Sequence, residues 1–300
     1  MVNHVDVAQT TIKRPRKPIP WSSIFDYTVL IVGAVVAITP FLWMISASFM
    51  TQNEVHRGKF LPADPNPGNY TEAWEIANFG QYMWNSSRIT AITVTGLLLF
   101  CIPAAYAFAR MRFAGRNVLF ATLLATLMIP GSVTLVPNFL TVVWLDRFSK
   151  AMFGDNWAWF DNWPALTVPF MASAFSIFLL RQFFAQIPDD LWEAAQLDGA
   201  GHMRFLVFIM LPLSRAPVMT VITFAFIGSW NSLLWPLLVT QTNDWRPVAA
   251  GLSNFVSSEA PSDFHLQMAA SVIMVIPILI MYFFTQKQFT EGIASSGMKG

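Results

Sequence analysis

The chain has 300 residues, of which 55% are hydrophobic and only 12% are charged, and its mean hydropathy is +0.49. This composition excludes an ordinary water-soluble domain, because lipid must solvate much of such a surface. The net charge of +1 provides no bulk attraction to nucleic acid or to an acidic ligand. The single cysteine, Cys101, excludes an internal disulfide framework and a cysteine-cluster metal site. We expect it to be a small buried residue.

The N-terminal segment carries a cluster of positive charges ahead of a long apolar run. These charges are Lys13, Arg14, Arg16 and Lys17. The arrangement is similar to a secretory signal, but the apolar run that follows is longer than the hydrophobic region of a signal peptide. We therefore predict that residues 1–25 are a cytoplasmic tail and that the first apolar run is kept as an uncleaved span.

Six apolar stretches are long enough to cross a membrane. Crossing about 30 Å of hydrocarbon takes about 20 helical residues, and these stretches lack Asp, Glu, Lys, Arg and His. They comprise residues 27–50, 89–109, 117–145, 162–180, 216–243 and 266–286. The sequence therefore predicts an all-α polytopic protein with one six-helix domain, residues 26–290, followed by a cytoplasmic tail at 291–300. The third and fifth stretches exceed what a bilayer needs, so we expect part of each to be tilted or to lie outside the hydrocarbon.

The positions of charges and prolines refine this topology. With a cytoplasmic N-terminus, twelve Lys and Arg residues fall on the cytoplasmic side and six on the outside, which is the asymmetry that inner-membrane proteins show. Prolines interrupt the apolar stretches at positions 40, 103, 130, 137, 169, 236 and 277. Because proline removes a backbone donor and kinks helices, we expect a bundle of bent helices around a pathway.

The segment at 187–212, between the fourth and fifth spans, is predicted to form two short helices joined by a turn. Pro188 and Asp189 suit a helix start, and Gly199 suits the left-handed residue that follows a last helical turn. One face of the first helix is predicted to hold Leu191, Ala194, Ala195 and Asp198. Such small residues permit another surface to approach closely.

The second of these short helices is strongly apolar. We expect it to lie against the membrane and to end at Pro212. The residues predicted to face the membrane are Phe205, Leu206, Phe208 and Ile209.

This segment resembles the EAA loop of binding-protein-dependent ABC importer permeases. The resemblance lies in Glu193-Ala194-Ala195, in Asp198-Gly199-Ala200 and in Leu211-Pro212. It extends over nearly the whole chain and is strongest toward the carbohydrate-uptake branch, particularly permeases of the maltose and glycerol-phosphate type. By this resemblance, Glu193, Ala194, Ala195, Asp198 and Gly199 would form a coupling helix and its turn, seated in a cleft of an ATPase subunit. Leu211 and Pro212 would begin the return to the bilayer.

The resemblance also implies a set of partners. A second permease subunit, a different but related chain, would complete the pathway, and two ATP-binding subunits would bind ATP and magnesium. A solute-binding protein outside the membrane would deliver a sugar or a sugar-like solute. The chain itself would be a multi-pass protein of the bacterial cytoplasmic membrane, without a cofactor and without enzymatic activity.

The sequence also indicates that ATP binds to another polypeptide and not to this chain. No phosphate-binding loop is found, because the Gly58-Lys59 pair lacks both the upstream glycine and the following hydroxyl residue. An ion-coupled carrier acting alone is the alternative, but such carriers place ionisable residues at mid-membrane, and the six stretches contain none. A purely structural membrane scaffold is a third reading, and substitution of the 187–212 loop would then leave uptake intact.

Two residues of the fifth stretch are the predicted solute contacts. Trp230 and Asn231 combine an aromatic ring with an uncharged amide, which can bind a hydroxyl-rich ligand without a buried charge. The competing interpretation is that Trp230 packs at a helix interface and Asn231 bonds between helices.

Overall fold

The computed structural model describes residues 21–76, 78–253, 255 and 263–297. Most of the predicted N-terminal tail and the last three residues, Met298 to Gly300, therefore lie outside the described residues. Within the described part, the chain folds as a helical bundle without a β-strand.

The helices follow one another with short connections. In chain order they are α1 (Trp21–Ala47), α2 (Gln52–His56), α3 (Gly68–Ile76), α4 (Phe79–Arg110), α5 (Arg116–Thr126), α6 (Gly131–Phe153), α7 (Trp163–Thr167), α8 (Ala174–Phe184), α9 (Asp190–Leu197), α10 (His202–Phe205), α11 (Leu211–Leu213), α12 (Arg215–Trp230), α13 (Leu234–Val239), α14 (Val248–Ser253) and α15 (Phe264–Gly297). Short 3₁₀ helices occupy Asp155–Trp157 and Val168–Phe170, and a π-helix occupies Leu206–Met210.

Three of these helices are long and apolar enough to cross a membrane without interruption. They contain the candidate spans Ile24–Ala47, Phe79–Arg110 and Phe264–Gln286, which correspond to the first, second and sixth predicted spans. Three bent pairs add candidates: α5 with α6 at 103°, α7 and its 3₁₀ extension with α8 at 40°, and α10 to α11 with α12 at 85°. The described residues thus hold three candidate spans, or up to six if each bent pair is one span.

The third predicted span, residues 117–145, is not one continuous helix. It divides into α5 and α6, which meet at 103° across residues 127–130. Pro130 explains the break, because proline disfavours a helical conformation of the residue before it and lacks a backbone donor. The backbone of Pro130 is extended, with φ −60° and ψ 135°, and α6 begins directly after it.

The fourth and fifth predicted spans are interrupted as well. In the fourth, the helix stops at residues 171–173 before α8 begins. In the fifth, α12 ends at Trp230, and α13 begins only at Leu234. The fifth predicted stretch, residues 216–243, therefore holds two helices, in agreement with its excess length and with the interruption expected at Pro236.

Helix α4 lies at the centre of the bundle. Helices α8, α12 and α14 pack along it, and α15 packs against α12, α3 and α1. Cys101 of α4 is fully buried in a core cluster that α4 shares with α8, α9, α10 and α12, which confirms its prediction as a small buried residue.

One end of α4 is fastened to the segment that precedes α14. The amide of Asn85 donates to the carbonyl of Arg246 at 2.8 Å, and the backbone N–H of Val248 donates to the hydroxyl of Ser86 at 2.8 Å. Asn85 and Ser86 are buried, so these hydrogen bonds fix the segment to the helix away from solvent.

Apolar side chains dominate the outer surface of the bundle. Along α1, large residues such as Leu30 and Val36 are about two-thirds exposed. Water would solvate such a surface poorly, whereas lipid tails solvate it well. The exposed apolar surface is therefore the surface that a membrane protein presents to the bilayer.

Candidate coupling surface

Helix α9 is short and is closed at its C-terminal end by a specific turn. Gly199 has a φ of +76°, as predicted, which is a left-handed conformation that favours glycine. The N–H of Gly199 donates to the carbonyl of Gln196 at 3.0 Å, and that of Ala200 donates to Ala195 at 2.8 Å. These two bonds are those of a Schellman motif, which satisfies carbonyl groups at the end of a helix.

An aromatic stack holds α9 against the next helix and against α4. The rings of Trp192 and His202 stack with centroids 4.6 Å apart and planes 13° apart. Trp192 also meets the edge of the buried Phe205 ring at 5.0 Å. The hydroxyl of Tyr106, near the end of α4, is 2.7 Å from Nδ1 of His202. A helix of eight residues is not stable alone, so these contacts supply its stability.

An arginine of α4 provides a second attachment. The guanidinium of Arg110 donates both to the carboxylate of Asp189, just before α9, and to the carbonyl of Ile187. The Arg110 side chain is 10% exposed, whereas that of Asp189 is 80% exposed. Residues 187–202 are called the α9 unit below. Arg110 connects the start of this unit to α4, and Tyr106 connects its end to the same helix.

The exposed face of α9 differs from the predicted one at one position. Ala195 is only 5% exposed and belongs to the core cluster, so its predicted place on the face with Leu191, Ala194 and Asp198 is wrong. The face instead includes Leu197, which is 91% exposed and which sequence reasoning missed. Leu197 lies three residues after Ala194, at the spacing that places two residues on one side of a helix.

Acidic residues surround this apolar position. Asp190 and Glu193 lie in the first turn of α9, where negative charge is favourable beside the positive end of the helix dipole. Glu193 and Ala194 are exposed, as are Asp198 and Gly199 at the other end of α9. The surface offered by α9 therefore combines the strongly exposed Leu197 and the less exposed Leu191 with small and acidic residues.

The second short helix has a different orientation from the one predicted. Phe205 and Leu206 are buried in the core, whereas Phe208 is 71% exposed; the predicted membrane face is thus wrong for the first two and holds for Phe208. The helix continues through Leu211 and Pro212, and a π-turn precedes them with the N–H of Leu211 bonded to the carbonyl of Leu206. The wider turn accommodates the proline, and the chain bends at Ser214 rather than ending at Pro212.

The two predicted solute contacts lie in unlike surroundings. Trp230 is 2% exposed, stacks on Phe226 at 5.5 Å, and donates its indole N–H to the carbonyl of Met274 at 3.1 Å. Asn231, the residue after α12, is exposed. The structure thus gives Trp230 the packing arrangement of the competing interpretation. In the part of the chain that is described, His, Cys, Asp and Glu do not gather into a group of three or more that could hold a metal ion.

An apolar bundle with up to six candidate spans, carrying a small exposed helix bonded to its core, has the architecture of a multi-pass membrane protein. Residues 99–294 match the family described as binding-protein-dependent transport system inner membrane component, and the chain belongs to this family. It is therefore a multi-pass inner-membrane permease of an ABC importer. This membership supports the ABC importer permease over the ion-coupled carrier.

Curated relatives extend the similarity over nearly the full length. The chain is 32% identical over 285 residues to the sn-glycerol-3-phosphate transport system permease protein UgpE of Yersinia enterocolitica, covering 91% of this chain and 96% of the relative. It is 30% identical over 287 residues to the protein of that name from Brucella abortus, covering 92% and 98%.

Solved structures show the same fold. A chain of a bacterial ABC transporter involved in the import of the acidic polysaccharide alginate superposes with a TM-score of 0.77 at 24% identity, over 91% of this chain and all of that one. A chain of the alginate transporter in complex with its periplasmic protein and an alginate pentasaccharide superposes with a TM-score of 0.61 at 12% identity, over 88% and 93%.

Proposed function

We propose that this permease forms, with a second and related permease subunit, the pathway by which a sugar or sugar-like solute enters the cell. In this proposal six spans cross the membrane, both termini are cytoplasmic, and two separate subunits bind ATP and magnesium. A binding protein outside the membrane delivers the solute. The names of the relatives support a small phosphorylated polyol or a saccharide as the solute class.

The observation that carries this proposal is the attachment of α9 to the bundle. An exposed surface at Glu193, Ala194 and Leu197 is suited to contact an ATPase subunit, while Trp192 and Ala195 on the opposite side join the core. Movement of a docked ATPase would therefore act on α4 through Tyr106 and Arg110.

The other predicted site residues take definite roles in this proposal. Asp198 and Gly199 close the docking helix, and Leu211 with Pro212 leads the chain back to the bilayer at the corner before α12. Of the two residues predicted to contact the solute, Asn231 keeps that role in this proposal because it is exposed. Trp230 is instead proposed to pack α12 against α15.

The docking surface can be tested by substituting Leu197. Burying a leucine contributes about 1.5–3 kcal/mol, so Leu197→Ala should weaken retention of the ATP-binding subunit by about tenfold or more. Leu213→Ala is the matched control, since Leu213 is 60% exposed but lies outside α9. Affinity purification of the complete transporter through a tag on this chain, followed by quantification of bound ATPase, measures both variants. Equal retention by the two variants would remove Leu197 from the interface.

The sidedness of α9 needs a separate experiment. A Met203→Cys variant in a Cys101→Ala background offers one thiol to a membrane-impermeant maleimide, because Met203 is 67% exposed and lies in α10, beside α9 but outside the proposed docking surface. We expect labelling in inverted vesicles and none in right-side-out vesicles. Labelling from the outer side would overturn the cytoplasmic assignment of α9 and with it the coupling role.

A further inference from the structure

A cavity that opens to the surface lies between helices of the bundle, and no residue of α9 lines it. Its volume is about 320 Å³, and its walls come from α4, from the segment between α7 and α8, and from α12 and α13. Hydroxyl side chains reach it from three directions: Thr93 on α4, Ser173 before α8, and Ser229 and Ser232 near the end of α12. A small-molecule pocket typically measures about 300–1,000 Å³, so the cavity is large enough for a small solute.

Thr93 is the residue that distinguishes this cavity from a packing defect. Its side chain is buried, with 4% exposure, yet its hydroxyl has no hydrogen-bond partner. Buried hydroxyl groups normally find a partner, and threonines of α12 do so within their own helix: Thr220 bonds to Ala216 and Thr223 to Met219. The Thr93 hydroxyl lacks that internal bond and is left available to a molecule in the cavity.

Two helix breaks border the same cavity. One break comprises residues 171–173, which include Ser173, and the other comprises residues 231–233, which include Ser232. At membrane depth, irregular backbone is tolerated where it lines a cavity, and broken helices in transporters commonly surround the solute. The presence of two such breaks in the lining therefore agrees with a site for a polar molecule rather than with empty space.

The chemistry of the walls limits the ligand. None of the lining residues is charged, and apolar surfaces from Leu97, Phe170 and Pro236 alternate with the hydroxyl groups. An anionic group would find no positive charge there, whereas a sugar ring or polyol chain presents both hydroxyl groups and apolar C–H faces. The walls match an uncharged polyhydroxylated group.

We propose that this cavity is a subsite within the present chain for the hydroxyl-bearing part of the transported solute, with Thr93 and Ser232 as its hydrogen-bonding residues. The subsite rests on the proposed transport function and specifies where in the chain the solute passes. The aromatic residue of this subsite is Phe170, which is 42% exposed. It takes the role that the sequence suggested for Trp230.

Cysteine protection tests occupancy of the subsite directly. The complete transporter, with its second permease and ATPase subunits, is reconstituted in liposomes in a Cys101→Ala background carrying Thr93→Cys. Thr223→Cys is the matched control, because Thr223 is also buried at 8% exposure but does not line the cavity. The water-soluble reagent is a methanethiosulfonate, and the tested solutes are radiolabelled sn-glycerol 3-phosphate, maltose and an alginate oligosaccharide.

We expect the cysteine at position 93 to react, and the solute that the unmodified complex imports to slow this reaction, while the cysteine at 223 stays unreactive. Absence of reaction at 93, or a reaction that the imported solute does not slow, would overturn the subsite; the latter result would indicate a cavity that holds water only.

Transport by Thr93→Val provides an independent measurement. Valine keeps the shape of threonine and removes the hydroxyl, so ATP-driven uptake should fall about three- to tenfold, the effect of one lost hydrogen bond. Ser232→Ala should act in the same direction, and Thr223→Val should leave uptake unchanged. If the unmodified complex imports a solute and Thr93→Val imports it equally well, the subsite alone is refuted. If the unmodified complex imports none of the three solutes with ATP, the proposed function fails, and the subsite with it.

Discussion

Replacing Gly199 with alanine should loosen the C-terminal end of α9. The φ of +76° at Gly199 is unfavourable for any residue with a Cβ, at a cost of about 1–2 kcal/mol. Apart from its chain neighbours, no atom of this chain lies within 4 Å of the position that an alanine Cβ would occupy, so backbone strain is the penalty within the chain. A change of this size raises the population of the opened turn by about 5- to 30-fold.

Hydrogen–deuterium exchange of residues 189–200, measured on the complete transporter, can detect this change. Gly201→Ala is the control, because Gly201 has a φ of −83° and equally open surroundings. Gly199→Asn should fall between the two, since asparagine tolerates the left-handed conformation better than alanine. The number of solute molecules imported per ATP should decrease for Gly199→Ala and stay constant for Gly201→Ala. Identical exchange rates in the two alanine variants would refute the strain argument.

Three further changes test other parts of the molecule. Gly251→Ala would place a Cβ 2.4 Å from Cδ2 of the buried Tyr82 ring, so the melting temperature in detergent should fall, by the equivalent of about 1–3 kcal/mol. Tyr106→Phe removes the hydrogen bond to His202, which should speed hydrogen exchange in α9 about fivefold. Hydrogen bonds from the N–H of Ala63, the N–H of Thr51 and the ammonium of Lys59 together lower the pKa of Glu54 from 4.5 to about 2. Glu54 therefore stabilises residues 51–63 above pH 4.5, and proteolysis of that segment should increase as the pH falls toward 2.

Each of these changes has a matched control. Gly33→Ala should leave the melting temperature unchanged, because no atom lies within 4 Å of its Cβ position; an equal decrease for both glycines would contradict the packing argument. Glu54→Gln should abolish the pH dependence in the acidic range, and a persistent dependence would mean that another group is responsible. For Tyr106→Phe, unchanged exchange in α9 would show that the aromatic stack alone holds the helix.

The sequence predicted those features of the fold that depend only on residues close together in the chain. Gly199 was assigned to a left-handed turn because the preceding residues form a helix that must end there, and the structure confirms it. The three uninterrupted spans were also predicted, since length and hydropathy are enough to define a helix in lipid. The break at Pro130 was only partly predicted, because a proline can either kink a membrane helix or end it.

The orientation of α9 could not be read from periodicity alone. Ala195 and Ala194 are adjacent and identical, so only the position of the neighbouring core decides which one is buried. Trp192 decides it here, because its ring contacts His202 and Phe205. These partners come from the following helix, and a pattern within α9 carries no information about them. Leu197 was overlooked for the same reason.

Helix α4 joins two distant contact regions in a single unbroken element. Its 32 residues correspond to about 48 Å, and it is bonded to the α9 unit at Arg110 and to the segment before α14 at Asn85. If one end of α4 tilts, the other end must move as well, except for the part of the motion that bending at Pro103 absorbs. In the proposed topology, a fluorophore beside Asn85 should consequently report nucleotide turnover taking place on the other side of the bilayer.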